Sequence, residues 1–296
     1  HDVNAHAYAD DMQTYISCQA DDQQSAIDRL LACIVDVNKW MSSNRLKLNA
    51  DKTEFIWLGT HQQLAKIIRQ PLTVSGQVIT PVQSARNLGV ILDDQLKMDA
   101  HARTIVRSCF YQLRQLRSVQ RSLTFEARRA LVTAFIASRV DYCNAVFYGV
   151  AKSTIRRLQI CLNAAARLAT GDRKFDHITP ALRDTLHWLP VEQRVIFKIA
   201  TLAFDCVRGT SPAYFRGVCN SLTETGRSNL RSAQRGDVYV PRTRLVLGTR
   251  SFRVAGPAVW NSLPPQLRLS TISRRQFRDG LKTHLFKQAY TRSTIL

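Results

Sequence analysis

The stretch His6-Ala7-Tyr8-Ala9-Asp10-Asp11-Met12-Gln13-Thr14-Tyr15-Ile16 sets two adjacent carboxylates between two β-prone runs. Short runs rich in aromatic, β-branched and other apolar residues on both sides of a turn are typical of paired strands. Because Asp is favoured in tight turns, the stretch predicts a β-hairpin with Asp10 and Asp11 at its tip. Such a pair can also be an ordinary solvated turn, so other features are needed to assign chemistry to it. The chain begins at His1 close to the first predicted strand, and we expect the protein to continue upstream.

The residues that follow predict one long helix among several short strands. Apolar residues recur at helical spacing within residues 22–44, which predicts an amphipathic helix; they are Ile27, Leu30, Leu31, Ile34, Val37 and Met41. Residues 55–58 and 87–92 predict single strands, and residues 72–79, interrupted by Ser75-Gly76, predict a hairpin. Residues 1–97 therefore predict an α+β layer.

Beyond Asp99, a candidate N-cap, the pattern becomes helical. Helices are predicted at residues 99–120, 124–148 and 153–170, the last closed by Gly171, and together they predict a three-helix bundle with an arginine-rich outer face. A further helix is predicted at residues 191–208, then a mixed stretch, then a last helix from Ser273 to about Ala289. This organisation predicts domains at residues 1–98, 99–175 and 176–296.

Charge is distributed very unevenly along the chain. The net charge is +20, but residues 1–100 hold 9 Lys and Arg against 12 Asp and Glu, whereas residues 101–296 hold 33 against 10. Of these 33 bases, 28 are Arg, which grips phosphate oxygens with two donors where Lys offers a point charge. The excess predicts a polyanionic partner and argues against a membrane surface, which is more often met by Lys-rich helices.

Composition also excludes several classes of protein. With 45% apolar residues the chain is neither disordered nor collagen-like, and its seven cysteines form no C-x-x-C pair, so free buried thiols in a reducing compartment are expected. No apolar run reaches 18 residues, so we expect a soluble intracellular protein with no membrane partner. His177 and His187 have no cysteine at metal spacing, and Trp188 and Trp260 are expected to be packing anchors.

Three segments, taken in order, resemble one family. Tyr8-Ala9-Asp10-Asp11 resembles the aromatic-x-Asp-Asp signature of reverse transcriptases. It is followed by Leu48-Asn49-Ala50-Asp51-Lys52-Thr53-Glu54 and by Asn87-Leu88-Gly89-Val90-Ile91-Leu92-Asp93, with Leu96 and His101 beyond. This series resembles the later palm motifs (C, D and E) of the reverse transcriptases of non-LTR, LINE-type retrotransposons.

The resemblance continues towards the C-terminus. The segments that carry it are Leu189-Pro190-Val191-Glu192-Gln193-Arg194-Val195, Ser211-Pro212-Ala213-Tyr214, Leu230-Arg231-Ser232 and Pro257-Ala258-Val259-Trp260-Asn261-Ser262-Leu263-Pro264. They are similar to the C-terminal region of elements in the Jockey and chicken-repeat group. The resemblance implies a partial palm, a helical thumb and a mixed, mostly helical C-terminal region. It also implies an RNA template, a DNA primer and deoxynucleoside triphosphates as partners, and a nuclear and cytoplasmic location.

The resemblance implies a role for three charged residues. Asp10 and Asp11 would be ligands of Mg²⁺ or Mn²⁺ in the complete polymerase, which needs two such ions about 4 Å apart for nucleotidyl transfer. Lys52 would donate a proton to the departing pyrophosphate; alternatively it is a solvated lysine in a loop.

Other residues are implied to contact nucleic acid. Tyr8 and Ala9 would adjoin the primer end, where the small Ala9 side chain leaves room. Leu88 and Gly89 would form the primer grip, because Gly lets the backbone approach closely; a Gly in a plain β-bulge is the alternative.

Five arginines of the predicted thumb recur at helical spacing and share one stripe; they are Arg103, Arg107, Arg114, Arg117 and Arg121. Together with Arg128 and Arg129 they would contact phosphates of an RNA/DNA duplex. The alternative is a solvated helix face, but such faces usually carry mixed charges, and this stripe has no acid.

One element of the family pattern is missing. The family catalyses with three carboxylates, and the third comes from a palm strand that we do not find; Asp2, eight extended residues away, would be on the order of 26 Å from Asp10. The fingers, the first half of the palm and the endonuclease domain are not found either. Two hypotheses remain: a C-terminal fragment of a LINE-type reverse transcriptase, inactive alone, or a non-catalytic nucleic-acid-binding remnant of a transposable element.

Overall fold

A computed structural model describes residues 1–222 and 236–291 of the chain. The chain divides into two compact units, His1–His101 and Ala102–Leu296. The first unit combines short strands with helices and the second is mostly helical, so the described residues are compatible with the predicted α+β class. The domain boundaries at residues 98 and 175 remain predictions. No helix among the described residues is long and apolar enough to cross a membrane.

Strands in the first unit pair two at a time. Their bounds are β1 Asn4–Tyr8, β2 Asp11–Tyr15, β3 Phe55–Ile56, β4 Leu72–Val74, β5 Gln77–Ile79, β6 Pro81–Val82, β7 Ser84–Asn87 and β8 Val90–Asp93. Antiparallel hairpins join β1 to β2, β4 to β5 and β7 to β8, and β3 pairs with β6 in parallel. The hairpins predicted at residues 6–16 and 72–79 are thus confirmed.

Two strand predictions need correction. The single strand predicted at residues 87–92 is wrong, because the chain reverses at Leu88 and Gly89, both with positive φ, and forms the β7–β8 hairpin. Apolar residues continue through this turn, so hydrophobic pattern alone did not reveal it. The strand predicted at residues 55–58 ends at Ile56.

The predicted helix of residues 22–44 is confirmed as α1, Gln23–Ser43. Its first half packs Ala26, Ile27 and Leu30 into the unit's core, and the Gln23 side chain exchanges two hydrogen bonds with the backbone of Ile68. A short helix, α2 (His61–Leu64), begins at a capping box formed by Thr60.

Helices dominate the described part of the second unit, and one of them starts at the end of the first. Their bounds are α3 Asp99–Val119, α4 Phe125–Val132, α5 Ser138–Asp141, α6 Lys152–Thr170, α7 Ile178–Pro180, α8 Val191–Val207, α9 Val246–Thr249, α10 Phe252–Ser262, α11 Pro265–Arg268 and α12 Arg274–Thr291. Gly171 closes α6 with a left-handed backbone, as predicted. The helices predicted at residues 191–208 and 273–289 are confirmed within two residues at each end.

The single helix predicted at residues 124–148 is wrong in its second half. A π-helical segment, Thr133–Ala137, joins α4 to α5, and the helix ends at Asp141. Cys143 then takes a left-handed conformation (φ 48°), which no glycine marks in the sequence, and a 3₁₀ turn follows at Asn144–Phe147.

The core of the second unit gathers aromatic rings between α8, α10 and α12. The rings of Phe204 and Phe277 stack with centroids 4.5 Å apart, and Trp260 lies 6.0 Å from Phe277. Trp260 is 1% exposed and its indole N–H donates to the Gly236 carbonyl, so it is a packing anchor as predicted. The predicted motif Leu230-Arg231-Ser232 lies outside the described residues.

Candidate carboxylate site and nucleic-acid interface

The β1–β2 hairpin presents the Asp pair at its tip. Tyr8 pairs with Asp11 across the strands, so Ala9 and Asp10 form the two-residue turn, with Ala9 at a φ of 52°. Both carboxylates are exposed, and Tyr8 is 65% exposed. The turn prediction is therefore confirmed in detail: Asp10 lies in the turn itself and Asp11 opens β2.

A hydrogen bond connects this hairpin to the β7–β8 hairpin. The Gln13 side-chain amide donates to Oδ1 of Asn87 at 2.6 Å. Asp11 and Gln13 are two residues apart on β2, so their side chains project from the same face, about 7 Å apart along the strand. Asp11 thus shares a face with the residue that contacts the second hairpin beside its Leu88-Gly89 turn. Gln13 was not predictable from the sequence, because a glutamine in a strand has no distinguishing spacing.

The carboxylates are free to accept a cation. Within residues 1–222 and 236–291, neither Asp10 nor Asp11 forms an ion pair, and no group of three or more His, Cys, Asp or Glu side chains could hold a metal ion. Two adjacent carboxylates supply hard oxygen ligands that suit part of a Mg²⁺ coordination shell. Asp2 precedes β1 and lies 3.4 Å from Nη1 of Arg29, away from the hairpin tip.

Leu88 and Gly89 are the central residues of the β7–β8 turn. Their φ values are 44° and 82°, the positive pair that a type I′ hairpin turn requires. Gly89 is therefore a turn residue, and the β-bulge alternative is wrong. The primer-grip role of Leu88 and Gly89 stays a prediction.

Lys52 closes a 3₁₀ turn, Ala50–Lys52, and is exposed. Its neighbours fasten the segment to the sheets: the Gln77 amide donates to Asp51 at 3.1 Å, and the Arg86 backbone N–H donates to Glu54 at 3.0 Å. No ion pair joins Lys52 to Asp10 or Asp11 in the described part of the chain, so its proton-donor role stays a prediction.

Helix α3 has one buried face and one basic face. Ala102, Ile105, Cys109 and Leu113 are buried at helical spacing. The other side carries the arginine stripe, all exposed: Arg103, Arg107, Arg114, Arg117 and, in the 3₁₀ turn that follows, Arg121. None of the five forms an ion pair with a carboxylate of the described residues. Phosphate contact by this stripe is not tested by the structure and stays a prediction.

Two buried side chains of α3, His101 and Cys109, have shifted pKa values. Burial lowers the pKa of His101, whose Nδ1 accepts a hydrogen bond from the Ile91 N–H at 3.4 Å. Deeper along α3, a hydrogen bond from the Cys161 thiol lowers the pKa of Cys109, and nearby Arg139 adds to the effect, while burial opposes it. Arg139 donates to the Ser108 hydroxyl at 2.8 Å, which fastens α5 to α3.

All seven cysteines are free, as predicted, but only Cys109 and Cys161 are fully buried. A second thiol pair joins the last turn of α8 to the segment beyond it: a hydrogen bond from the Cys219 thiol lowers the pKa of Cys206, a residue of α8, to about 7. Neither pair was predictable from the sequence, because 52 and 13 residues separate their members in the chain.

Trp188, His187 and His177 lie in different surroundings. Trp188 is half-buried, with the Arg194 guanidinium 5.5 Å from its ring, and His187 lies 6.2 Å from the Phe286 ring. His177 is exposed at the end of a loop that also holds Phe175, the most exposed large apolar residue described, at 89%. Phe175 was not among the predicted site residues, although the bases Arg173 and Lys174 directly precede it in the sequence.

The comparisons with known proteins give one match. A Drosophila melanogaster protein described as "Probable RNA-directed DNA polymerase from transposon BS" is 26% identical over 191 residues, which are 64% of this chain and 20% of that protein. The chain thus spans about a fifth of the relative's length. No family model matches the chain. No solved structure matches it either.

Proposed function

We propose that the chain is a C-terminal part of a LINE-type reverse transcriptase of the Jockey and chicken-repeat group, and that its helical unit holds the RNA/DNA duplex. The distant similarity to a transposon RNA-directed DNA polymerase supports a reverse-transcriptase-like origin. In this proposal residues 1–98 are the later part of the palm, residues 99–175 the thumb and residues 176–296 a basic extension. RNA template, DNA primer and deoxynucleoside triphosphates are then the partners of the complete polymerase.

The observation that carries the proposal is the arginine stripe on α3. Five exposed guanidinium groups follow one side of a helix and its extension without an ion-pair partner among the described residues. Guanidinium groups that repel one another at helical spacing lower the stability of an isolated helix, and phosphates would relieve this repulsion. A duplex backbone offers phosphates at regular intervals along such a stripe.

The two hairpins support a role next to the primer end. Asp10 and Asp11 stand at an exposed tip, and the Gln13–Asn87 hydrogen bond holds the Leu88-Gly89 turn near the face that bears Asp11. Bound Mg²⁺ or Mn²⁺ would activate the primer hydroxyl and offset charge on the triphosphate. The chain's own contribution is to present two carboxylates at an exposed turn where Ala9 adds only a methyl group, and in this proposal the exposed Lys52 donates the proton to the departing pyrophosphate.

Nucleic-acid binding that weakens with salt tests the proposal. Each phosphate neutralised releases a counterion, so log K should fall against log salt with a slope of roughly −0.7 to −0.9 per contact. Changing Arg107, Arg114 and Arg117 to Glu should weaken duplex binding at least about 100-fold and reduce the slope by about 2 to 3. Filter binding of an RNA/DNA duplex at several salt concentrations measures both quantities.

A control with the same charge change separates the stripe from net charge. Arg275, Lys282 and Lys287 are exposed on α12, and their change to Glu alters the net charge equally. We expect a much smaller loss of affinity in this variant. Equal losses in the two variants, or a flat salt response of the unmodified chain, would contradict the proposed function.

A further inference from the structure

The loop between α6 and α7 raises an aromatic ring into solvent. Residues 173–176 form a turn in which the Asp176 N–H donates to the Arg173 carbonyl at 3.3 Å, so Lys174 and Phe175 are its central residues. Phe175 is 89% exposed, and the Lys174 ammonium lies 5.2 Å from its ring centroid. Turn tips usually carry Gly, Pro, Asn, Asp or Ser, so a phenylalanine at this position needs a reason other than turn formation.

Hydrogen bonds fix the loop from both sides. The Arg173 N–H donates to the Asp176 carboxylate at 2.6 Å, and the Arg167 guanidinium donates to the Asp176 carbonyl at 3.2 Å. At the start of the loop the Thr170 hydroxyl donates to Asp172 at 2.8 Å. Both loop acids are thus engaged in shaping the backbone. The ring therefore stands on an ordered turn, which lowers the entropy cost of any contact that it makes.

The surroundings of the ring are basic. Arg128 of α4 lies against Gly171, where a Cβ atom would come within 3.1 Å of its Nη1 atom. Two segments meet at this contact, residues 125–132 and 167–176; their bases are Arg128, Arg129, Arg167, Arg173 and Lys174, and their acids are Glu126, Asp172 and Asp176. The balance is positive, so a polyanion fits this surface better than an apolar peptide does.

The chain itself limits the distance between the end of the arginine stripe and this loop. Arg121 ends the stripe in the 3₁₀ turn that leads into α4, and Arg128 is seven residues further along the chain. Seven residues span at most about 25 Å, so the backbone of Arg128, whose side chain lies against the start of the loop at Gly171, is within that distance of the stripe's end. A strand that follows the stripe can therefore continue to Phe175.

We propose that Phe175 is a stacking platform for a base of a single-stranded nucleic acid that leaves the duplex at the end of the α3 stripe. The inference rests on the proposed function. A flat aromatic ring stacks on any base, and a cation beside it binds the adjoining phosphate, a combination found where single strands are bound without sequence preference. Bases within a duplex are already stacked on one another, so the ring selects single strands.

Fluorescence anisotropy with two probes tests the inference: a labelled oligothymidylate of about 16 nucleotides and a blunt RNA/DNA duplex. Phe175→Ala should weaken binding of the single strand about 5- to 100-fold, and leave the duplex affinity and the salt slope unchanged, because no phosphate contact is lost. Phe175→Trp should bind the single strand within about two-fold of the unmodified chain. Trp40→Ala removes a similarly exposed ring from the acidic first unit and should have no effect.

The outcomes separate this inference from the proposed function. If Phe175→Ala binds the single strand as tightly as the unmodified chain while the Arg107, Arg114 and Arg117 variant has lost affinity, Phe175 is not a stacking platform and the stripe proposal stands. If Phe175→Ala weakens both probes equally, the ring does not select single strands and the inference is also wrong. If the unmodified chain binds neither probe, both proposals fail.

Discussion

Asp11 and Gln13 illustrate how single residues set the geometry of the candidate site. The period of two along β2 gives them a common face, and the contact from Gln13 to Asn87 turns that face towards the second hairpin. Asp10 occupies the turn, one residue away, so both carboxylates lie at the tip. A substitution at either acid changes charge there without removing a buried contact, because both side chains are exposed.

The first prediction at this scale concerns the two acids in a longer polymerase that contains the upstream palm. Asp10→Asn or Asp11→Asn should reduce primer extension by several orders of magnitude and leave nucleic-acid affinity nearly unchanged. The amide keeps the shape of the carboxylate but loses the charge that stabilises the metal-bound transition state. Steady-state extension rates and filter binding of each variant would measure the two effects. Comparable rates without either carboxylate would refute the assignment.

Single residues also show which features of the site could be predicted from the sequence and which could not. The tip of the first hairpin was predictable because acids interrupted two β-prone runs. At Leu88-Gly89 the turn was not predictable, because the apolar residues on both sides of Gly89 are typical of a continuous strand, whereas the backbone has positive φ at both positions. Gln13 and Phe175 were missed for a different reason: their significance comes from Asn87 and from an ordered loop, which no local pattern encodes.

At the scale of elements, amphipathic spacing predicted α3 and α6 well because buried residues recur along one face of each helix, and it predicted α1 although only the first half of that helix is buried. The same spacing failed within residues 124–148, where apolar residues persist although the backbone passes through a π-helical segment and stops at Asp141. Periodicity reports which side of a segment is buried. It does not report a change in hydrogen-bond pattern, or a left-handed residue such as Cys143, when no Gly or Pro marks it.

The junction of β8 and α3 predicts a pH-dependent stability. Burial lowers the pKa of His101 below the 6.5 of an unfolded histidine, so the folded chain binds its proton less readily than the unfolded chain does. Above pH 6.5 this difference in pKa does not affect stability, because neither state binds the proton. Below pH 6.5 the unfolded chain takes up a proton that the folded chain binds less readily, so the free energy of unfolding falls by up to about 1.4 kcal/mol per pH unit. Urea unfolding of the chain at pH 7.5 and pH 5.5 measures this loss.

His101→Gln is the test variant, because glutamine does not titrate in this range. Its stability should change less between the two pH values than that of the unmodified chain. His61→Gln, which replaces an exposed histidine of the same unit, serves as the control and should keep the full pH dependence. If His101→Gln retains the same loss at pH 5.5, burial of His101 is not its cause.

At the scale of the whole molecule, the charge contrast between the two parts of the sequence follows the division into two compact units. The acidic residues of the first unit include the pair at the hairpin tip, whereas the arginines of the second include the stripe on α3 and Arg173 in the α6–α7 loop. The net charge predicts a polyanionic partner for the second unit because phosphate binding needs many bases, and this stays a prediction. The net charge does not single out the two acids at the hairpin tip of the first unit, to which our proposal assigns the metal ions.

The last prediction is that residues 1–296 alone do not extend a primer, even with Mg²⁺ or Mn²⁺, and that their first unit is cleaved before the second by protease. Two carboxylates at one hairpin tip do not complete a two-metal site, and the described residues contain no group of three ligands.

The expected order of cleavage follows from the strand pairing. In the described residues β1 and β2 pair only with each other, and Tyr8, Met12 and Tyr15 are exposed, so the hairpin has open edges and little burial to hold it. The helical unit buries long apolar faces through mostly local contacts and should resist cleavage longer. Primer extension on an RNA template, with Asp10→Asn as the control, and limited proteolysis with mass spectrometry measure the two halves. Templated extension that Asp10→Asn abolishes would refute the first half, and protection of residues 1–101 beyond that of the helical unit would refute the second.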